Sequence, residues 1–248
     1  MLTHGDLLKL KRWNTPTIYN GWEAITQGER LQVRCNKDES KDFMPQMGPM
    51  IGYAITVTCQ PGNKEHYQDR AKNRVEYLDY VASLPGPKIV VVQDLDSPAQ
   101  IIGSFWGEVN ANTHRALGCI GTISEGAIRD VDEMTNAGFK ALARRLCVGH
   151  AYSMPISWGE PVTVFGCEVQ SGDLIHADKH GFMVIPEEDQ EHLVEAVAFM
   201  DENECLTTIG AARQSVGKSY AQILSELNEA SSEFGKNVQA MRKRFGLR

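Results

Sequence analysis

The stretch Phe105–Glu133, FWGEVNANTHRALGCIGTISEGAIRDVDE, concentrates the residue types that can do chemistry. Gly107 is placed to open a helix. The unpaired backbone N–H groups of Gly107, Glu108, Val109 and Asn110 would then point out of its N-terminus, where free donors and the helix dipole favour a carboxylate or a phosphate. Further on, a short strand leads into Glu125-Gly126-Ala127-Ile128-Arg129-Asp130. Ligands of α/β sheets bind outside the carboxyl ends of strands, and Gly126 allows close backbone approach. Arg129 can clamp a carboxylate through two N–H groups. Asp130 can hold a hard divalent cation whose remaining ligands are waters. Glu133 lies one turn on, on the same helical face as Asp130. On residue types alone, an adjacent Arg–Asp pair is more often a plain surface ion pair, and helix N-termini are common.

The elements that must position these residues read as an α/β pattern. Helices are expected at 5–12 and 16–26, and GYAITVTC (52–59) reads as a buried strand. Residues 65–83 carry Ala71, Val75, Leu78 and Val81 at helical spacing and stop at Pro85-Gly86-Pro87. KIVVVQDL (88–95) is apolar enough to be buried on both faces. Residues 108–117 predict a helix, Cys119–Ile123 a short strand, and 131–137 one or two helical turns. From Phe139 to Pro186, short β-like runs between glycines and prolines predict a meander. The stripes at 187–203 and 219–245 predict terminal helices, the second packing on another surface.

Composition narrows the classes. A chain of 248 residues is long enough for a sizeable core. A net charge of −7 argues against non-specific binding to nucleic acid or to an anionic membrane. No apolar run is long enough to span a bilayer, and the N-terminus has no signal-peptide apolar region. The six cysteines form no C-x-x-C pair and read as free thiols of a cytoplasmic protein. Glycine-rich phosphate loops, a nucleophile elbow and H-E-x-x-H are all absent. His176 and His180 are four apart, but in a strand–loop stretch rather than on one helical face.

The two chemical segments resemble the family that joins class II 4-hydroxy-4-methyl-2-oxoglutarate aldolases to the regulator of RNase E activity A, the RraA-like proteins. Its first block is a glycine-led loop, Gly107-Glu108-Val109-Asn110, followed about 20 residues on by Arg129-Asp130-Val131-Asp132-Glu133. Its second block is matched by Pro161-Val162, Gly166, Val169, Gly172-Asp173, Asp178, Gly181 and Pro186. The resemblance spans residues 15–190. Asn20, Glu125 and the loop Asp178-Lys179-His180-Gly181-Phe182 depart from the usual pattern and bear on substrate choice.

The resemblance implies a layered α/β sandwich with a swivelling-domain-like β core, plus C-terminal helices. The core domain is then expected over 1–205 and a helical extension over 206–248. It implies a metal-dependent lyase, using Mg²⁺ or Mn²⁺, that cleaves a C–C bond of a small 2-keto acid. Retro-aldol cleavage and oxaloacetate decarboxylation both pass through a pyruvate enolate. Asp130 would anchor the metal, and Arg129 would place positive charge where the enolate forms. The N–H groups of 107–110 would bind substrate carboxylate, and Glu108, through a metal-bound water, would move the proton. Glu133 would hold a metal-bound water. Assembly as a homotrimer or hexamer is implied, with no nucleic-acid or membrane partner. The alternatives are a non-catalytic regulator that binds an RNase E-like nuclease, and a related lyase acting on a sugar acid.

Overall fold

A computed structural model describes residues 2–247. In chain order the elements begin with α1 (His4–Leu10), α2 (Thr15–Ile25), β1 (Arg34–Cys35), β2 (Lys41–Asp42) and β3 (Met50–Cys59). They continue with α3 (Arg70–Ser83), β4 (Lys88–Asp94), β5 (Ser104–Trp106), α4 (Glu108–Ala116), β6 (Cys119–Ile128), α5 (Val131–Asn136) and β7 (Lys140–Leu146). Then come β8 (Ser157–Trp158), β9 (Val162–Val164), β10 (Cys167–Val169), β11 (Leu174–Asp178) and β12 (Gly181–Ile185). Three helices close the chain, α6 (Leu193–Leu206), α7 (Thr208–Arg213) and α8 (Tyr220–Arg244).

Contacts divide the chain into two compact units, residues 33–186 and residues 1–32 with 187–248. A boundary at 205/206 would fall at the end of α6, inside the second of these. The first two helices therefore group with the last three.

The 33–186 unit is built on a mixed sheet ordered β1-β12-β11-β3-β4-β6-β7-β2, with β5 on β6 and β8 on β3. The ladders β3–β4, β4–β6 and β6–β7 are parallel, and β11 and β12 extend the sheet antiparallel. Alternation along β4 assigns the two faces. Val90 and Val92 join Tyr77, Val81, Ala111 and Phe139 in one buried cluster, under α3 and α4. Ile89 and Val91 join Val164, Phe165, Ile175 and Phe182 in the other, under the β9–β10 hairpin. Both faces are covered, which is why β4 is apolar almost throughout.

Two expectations change. β7 is not part of an antiparallel meander but pairs parallel with β6, at the far side of the sheet. β6 does not stop at Ile123 but runs on to Ile128. Its register with β7 jumps from Ser124↔Ala143 to Ala127↔Arg145, so Glu125 and Gly126 form a bulge. The bulge turns Glu125 onto Arg144, at 3.1 Å, and its carboxylate also accepts the Phe165 N–H at 3.1 Å.

In the other unit, α2 packs on α6 with almost no gap. A Cβ on Gly21 would come within 2.7 Å of the Val197 Cα, so only glycine fits. Polar side chains hold the bundle in place. The Trp22 indole donates to Asp189 at 2.7 Å, Asn20 to Glu204 at 3.0 Å, and Asn237 to Asn203 at 2.9 Å. α8 starts on a reciprocal cap between Ser219 and Gln222.

Candidate active site

The parallel strands deliver the site. β5 lies beside the end of β6, with Ser104 opposite Ala127 and Trp106 opposite Ile128. The chain leaving β5 turns at Gly107 into α4, and the chain leaving β6 passes through Arg129 and Asp130 into α5. The Arg129 N–H donates to the Trp106 carbonyl at 3.2 Å, which ties the two exits together. Helix α4 is anchored from below by His114. Its Nδ1 meets the Asn110 carbonyl at 2.7 Å and its Nε2 meets the Tyr77 hydroxyl at 2.9 Å. Burial pushes His114 down to about 4, so the ring is neutral near pH 7; it then donates from Nδ1 and accepts the Tyr77 O–H at Nε2.

Asp130 sits in the left-handed region at φ 55°, a conformation that aspartate tolerates better than most residues. This bend turns its carboxylate back onto the N-terminus of α4. Oδ2 accepts the Glu108 N–H at 3.0 Å and lies 3.6 Å from Arg129 Nε. Gly107 makes the approach possible, because a Cβ there would be 2.7 Å from Asp130 Oδ2. One of the four expected donors is therefore already used by Asp130. The N–H groups of Val109 and Asn110 have no acceptor among the described residues. The Asn110 side chain donates to the Phe105 carbonyl at 2.8 Å and fixes the turn rather than a ligand.

These residues open onto a cleft of about 640 Å³. Gly107, Glu108, Val109, Asn110, Arg129 and Asp130 all line it. Glu133 does not; it is exposed on α5, one turn beyond Asp130. The rest of the lining was not anticipated from sequence. It includes Tyr67 just before α3, Arg70 and Arg74 on α3, and His150, Ser153, Met154 and Pro155. The spacing of Tyr67, Arg70 and Arg74 puts them on one helical face, but nothing local says what that face meets.

Asp94, outside the cleft lining, was not singled out in the sequence either. It ends β4 and is only 7% exposed, with Oδ1 accepting the Asp96 N–H at 3.0 Å and Oδ2 without a hydrogen-bond partner among the described residues. Burial raises its carboxyl to about 7, with the Asp96 and Glu125 charges adding to the effect and the Asp96 N–H and Arg144 opposing it.

Among the described residues, no group of three or more His, Cys, Asp or Glu side chains is arranged as a metal cage. The donor set suits a cation that keeps most of its waters. Asp130 is about one-third exposed and its Oδ1 has no partner among the described residues. Mg²⁺ and Mn²⁺ bind this way, through one or two carboxylates plus substrate and water.

The RraA-like family model, described as Aldolase/RraA, matches residues 16–184. The chain belongs to the RraA-like family. That family includes both aldolase or decarboxylase enzymes and RNase E inhibitors. Among solved structures, an RraA-like relative, Streptomyces coelicolor RraAS2, described as an unusual member of the RNase ES inhibitor RraA family, superimposes with a TM-score of 0.61. It is 21% identical, over 83% of this chain and 94% of that one. An uncharacterized protein from Pseudomonas syringae pv. tomato gives a TM-score of 0.66 at 19% identity, over 90% and 94%. Both share the RraA-like fold, a mixed α/β sheet with C-terminal helices. Protein DlpA of Legionella pneumophila is 25% identical over 203 residues, 74% of this chain. This chain spans 32% of DlpA's length and, in a second match to a Methanocaldococcus jannaschii protein, 54%. No helix among the described residues is long and apolar enough to cross a membrane.

Proposed function

We propose that this RraA-like protein is a divalent-metal-dependent lyase acting on a small 2-keto acid, by retro-aldol cleavage, by decarboxylation of oxaloacetate, or both. The observation that carries the reading is the convergence of Arg129, Asp130 and the α4 N-terminus on one cleft. A pure protein-binding surface has no need of a partly exposed carboxylate held beside a guanidinium and unpaired N–H groups.

In this reading Asp130 is the residue that would hold Mg²⁺ or Mn²⁺. The bound cation would supply Lewis acidity at the keto oxygen. Val109 and Asn110 offer their N–H groups to the substrate carboxylate, and the α4 dipole adds to that attraction. The Arg129 guanidinium is fixed by the Val148 carbonyl at 3.2 Å and by Asp130, so its positive charge is already in place when the enolate forms. Glu108, exposed at the cleft edge, takes the proton of the 4-hydroxyl in aldol cleavage and returns one to the enolate carbon. Glu133, exposed on α5 outside the cleft lining, would act only through water. The proposed assembly is a homotrimer or hexamer, which light scattering on the purified protein checks.

The test is pyruvate release from oxaloacetate and from 4-hydroxy-4-methyl-2-oxoglutarate, with Mg²⁺ and with EDTA, on wild type and Asp130→Ala. Metal-dependent release that disappears in the variant supports the lyase. Release no faster than metal alone produces, on both substrates, removes it in favour of a sugar-acid substrate or an RNase E-like partner.

A further inference from the structure

The cleft lining carries two cations to which the lyase reading assigns no role. Arg70 and Arg74 are one turn apart on α3 and line the same cleft as Arg129. Both are exposed, and neither forms an ion pair with a carboxylate among the described residues. Arg70 is instead held by a neutral group, with its guanidinium 4.9 Å over the Tyr67 ring and a hydrogen bond to the Tyr67 hydroxyl.

The helix that carries them is held in place. One turn beyond Arg74, Tyr77 is buried at 2% exposure and packs on Phe105 at 6.3 Å between ring centres. Its hydroxyl meets His114 of α4. Asn73 is tied to the Pro155 carbonyl at 3.1 Å, in the loop that closes the same cleft. α3 is thus fixed to α4 and to the 150–155 loop, and its arginine face cannot turn away without breaking a buried aromatic cluster. Two guanidiniums without a carboxylate partner among the described residues, carried by a fixed helix into the cleft that Arg129 also lines, suit an anion.

Resting on the lyase reading, we propose that Arg70 and Arg74 hold the distal carboxylate of a dicarboxylic 2-keto acid, and that they bias the cleft toward retro-aldol cleavage over decarboxylation. The two reactions treat that carboxylate differently. In retro-aldol cleavage the 4-hydroxyl loses its proton, the C3–C4 bond breaks, and its electron pair goes to C3 as the enolate. C4 becomes a carbonyl, and the distal carboxylate leaves intact on that product. In decarboxylation the C3–C4 bond also gives its pair to C3, but the distal carboxylate itself departs as neutral CO₂. Guanidiniums around a carboxylate stabilise its negative charge in the ground state and so oppose a step that removes it.

The test compares two unreactive probes, 2-oxoglutarate with two carboxylates and 2-oxobutyrate with one, binding to the Mg²⁺-loaded protein by calorimetry. The protein is wild type, the double variant R70Q/R74Q, and the charge-keeping R70K/R74K. Loss of charge-assisted hydrogen bonds should weaken 2-oxoglutarate about tenfold or more in R70Q/R74Q. The shift for 2-oxobutyrate should stay within about twofold, and R70K/R74K should recover part of the preference. With turnover substrates, the rate ratio of 4-hydroxy-4-methyl-2-oxoglutarate to oxaloacetate should fall in R70Q/R74Q.

Equal weakening of both probes, or no weakening of 2-oxoglutarate, overturns the subsite. So does tighter binding of 3-phosphohydroxypyruvate than of 2-oxoglutarate, which would make the end a phosphate site. An arginine-dependent preference for 2-oxoglutarate in a protein that releases no pyruvate keeps the subsite and removes the lyase. Pyruvate release that is blind to both arginines does the reverse.

Discussion

The Glu108 N–H donates to Asp130 Oδ2 at 3.0 Å, so the carboxylate proposed to hold the cation also caps the helix proposed to hold the substrate. The two roles use different oxygens and can be separated by substitution. Asp130→Asn keeps an oxygen for the Glu108 N–H but lacks the charge for a cation. Asp130→Ala loses both, and places an alanine at φ 55°. Pyruvate release should fall at least about a hundredfold in both variants, as for loss of a charged group acting on the transition state. Stability should separate them, with Asp130→Ala losing about 1–2 kcal/mol more than Asp130→Asn in urea unfolding. Equal stability in the two variants would show that the cap contributes nothing.

Gly107→Ala tests the same contact from the other side. Its φ of −165° is ordinary extended backbone, so alanine introduces no backbone strain. The added Cβ would instead meet Asp130 Oδ2 at 2.7 Å and Arg129 Nε at 3.1 Å. The expected result is a folded protein with kcat down about ten- to a hundredfold, since a shift of the order of 1 Å in a positioned group has that effect. Unchanged kcat with normal stability would mean that the carboxylate does not need this position.

How far the sequence revealed all this depends on the element. The apolar run of β4 announced a strand buried on both faces. Of the stripe expected on α3, Val81 is buried and Leu78 packs against the same cluster, whereas Ala71 and Val75 are exposed and the buried Tyr77 lay outside the expected stripe. Gly107, Arg129 and Asp130 were legible through the resemblance, since residue types alone favour a plain surface ion pair at Arg129–Asp130. β6 was cut short because Glu125-Gly126 interrupts its apolar run, and a bulge leaves no other trace in one sequence. β7 was misplaced because a strand's own pattern does not encode the direction of its neighbour. β5 has three residues, too few to show a period. Asp94 reads as the polar end of a strand until Gly126 closes over it, with a Cβ there only 2.5 Å from its Oδ2. Arg70 and Arg74 show their spacing but not the cleft they face.

Asp94 and His114 give the stability opposite pH dependences. Folded Asp94 keeps its proton up to about pH 7, whereas the unfolded chain releases it near 3.8. Its contribution is therefore full below 3.8 and is lost as pH rises to about 7. His114 ionises near 6.5 when unfolded and only at about 4 when folded. Its contribution is full above 6.5 and is lost as pH falls to about 4. Each slope reaches at most about 1.4 kcal/mol per pH unit. Asp94→Asn removes the first and leaves the second. Relative to wild type, the variant should gain stability progressively as pH rises from about 4 to about 7 in denaturant titrations. Parallel profiles for the two proteins would show that Asp94 titrates normally.

The buried pair Lys140–Asp42 fixes the edge of the sheet, where β2 joins β7. Lys140 Nζ lies 2.6 Å from Asp42 Oδ2 and 3.0 Å from the Met44 carbonyl, and both side chains are only 3% exposed. Asp42 Oδ1 meanwhile accepts the Met44 N–H at 2.9 Å. Such a pair gains little over a well-packed apolar pair, but breaking it strands a charge. Asp42→Asn keeps the shape and an oxygen for the Met44 N–H, yet leaves Lys140 without a counter-charge. It should cost about 3–5 kcal/mol. Lys140→Met in the Asp42→Asn background removes the stranded ammonium and should restore a good part of that loss. The double-mutant cycle in urea should therefore give a coupling of at least about 1.5 kcal/mol. Simple additivity of the two substitutions would mean that water reaches the ammonium and that this edge of the sheet is held by its backbone ladder alone.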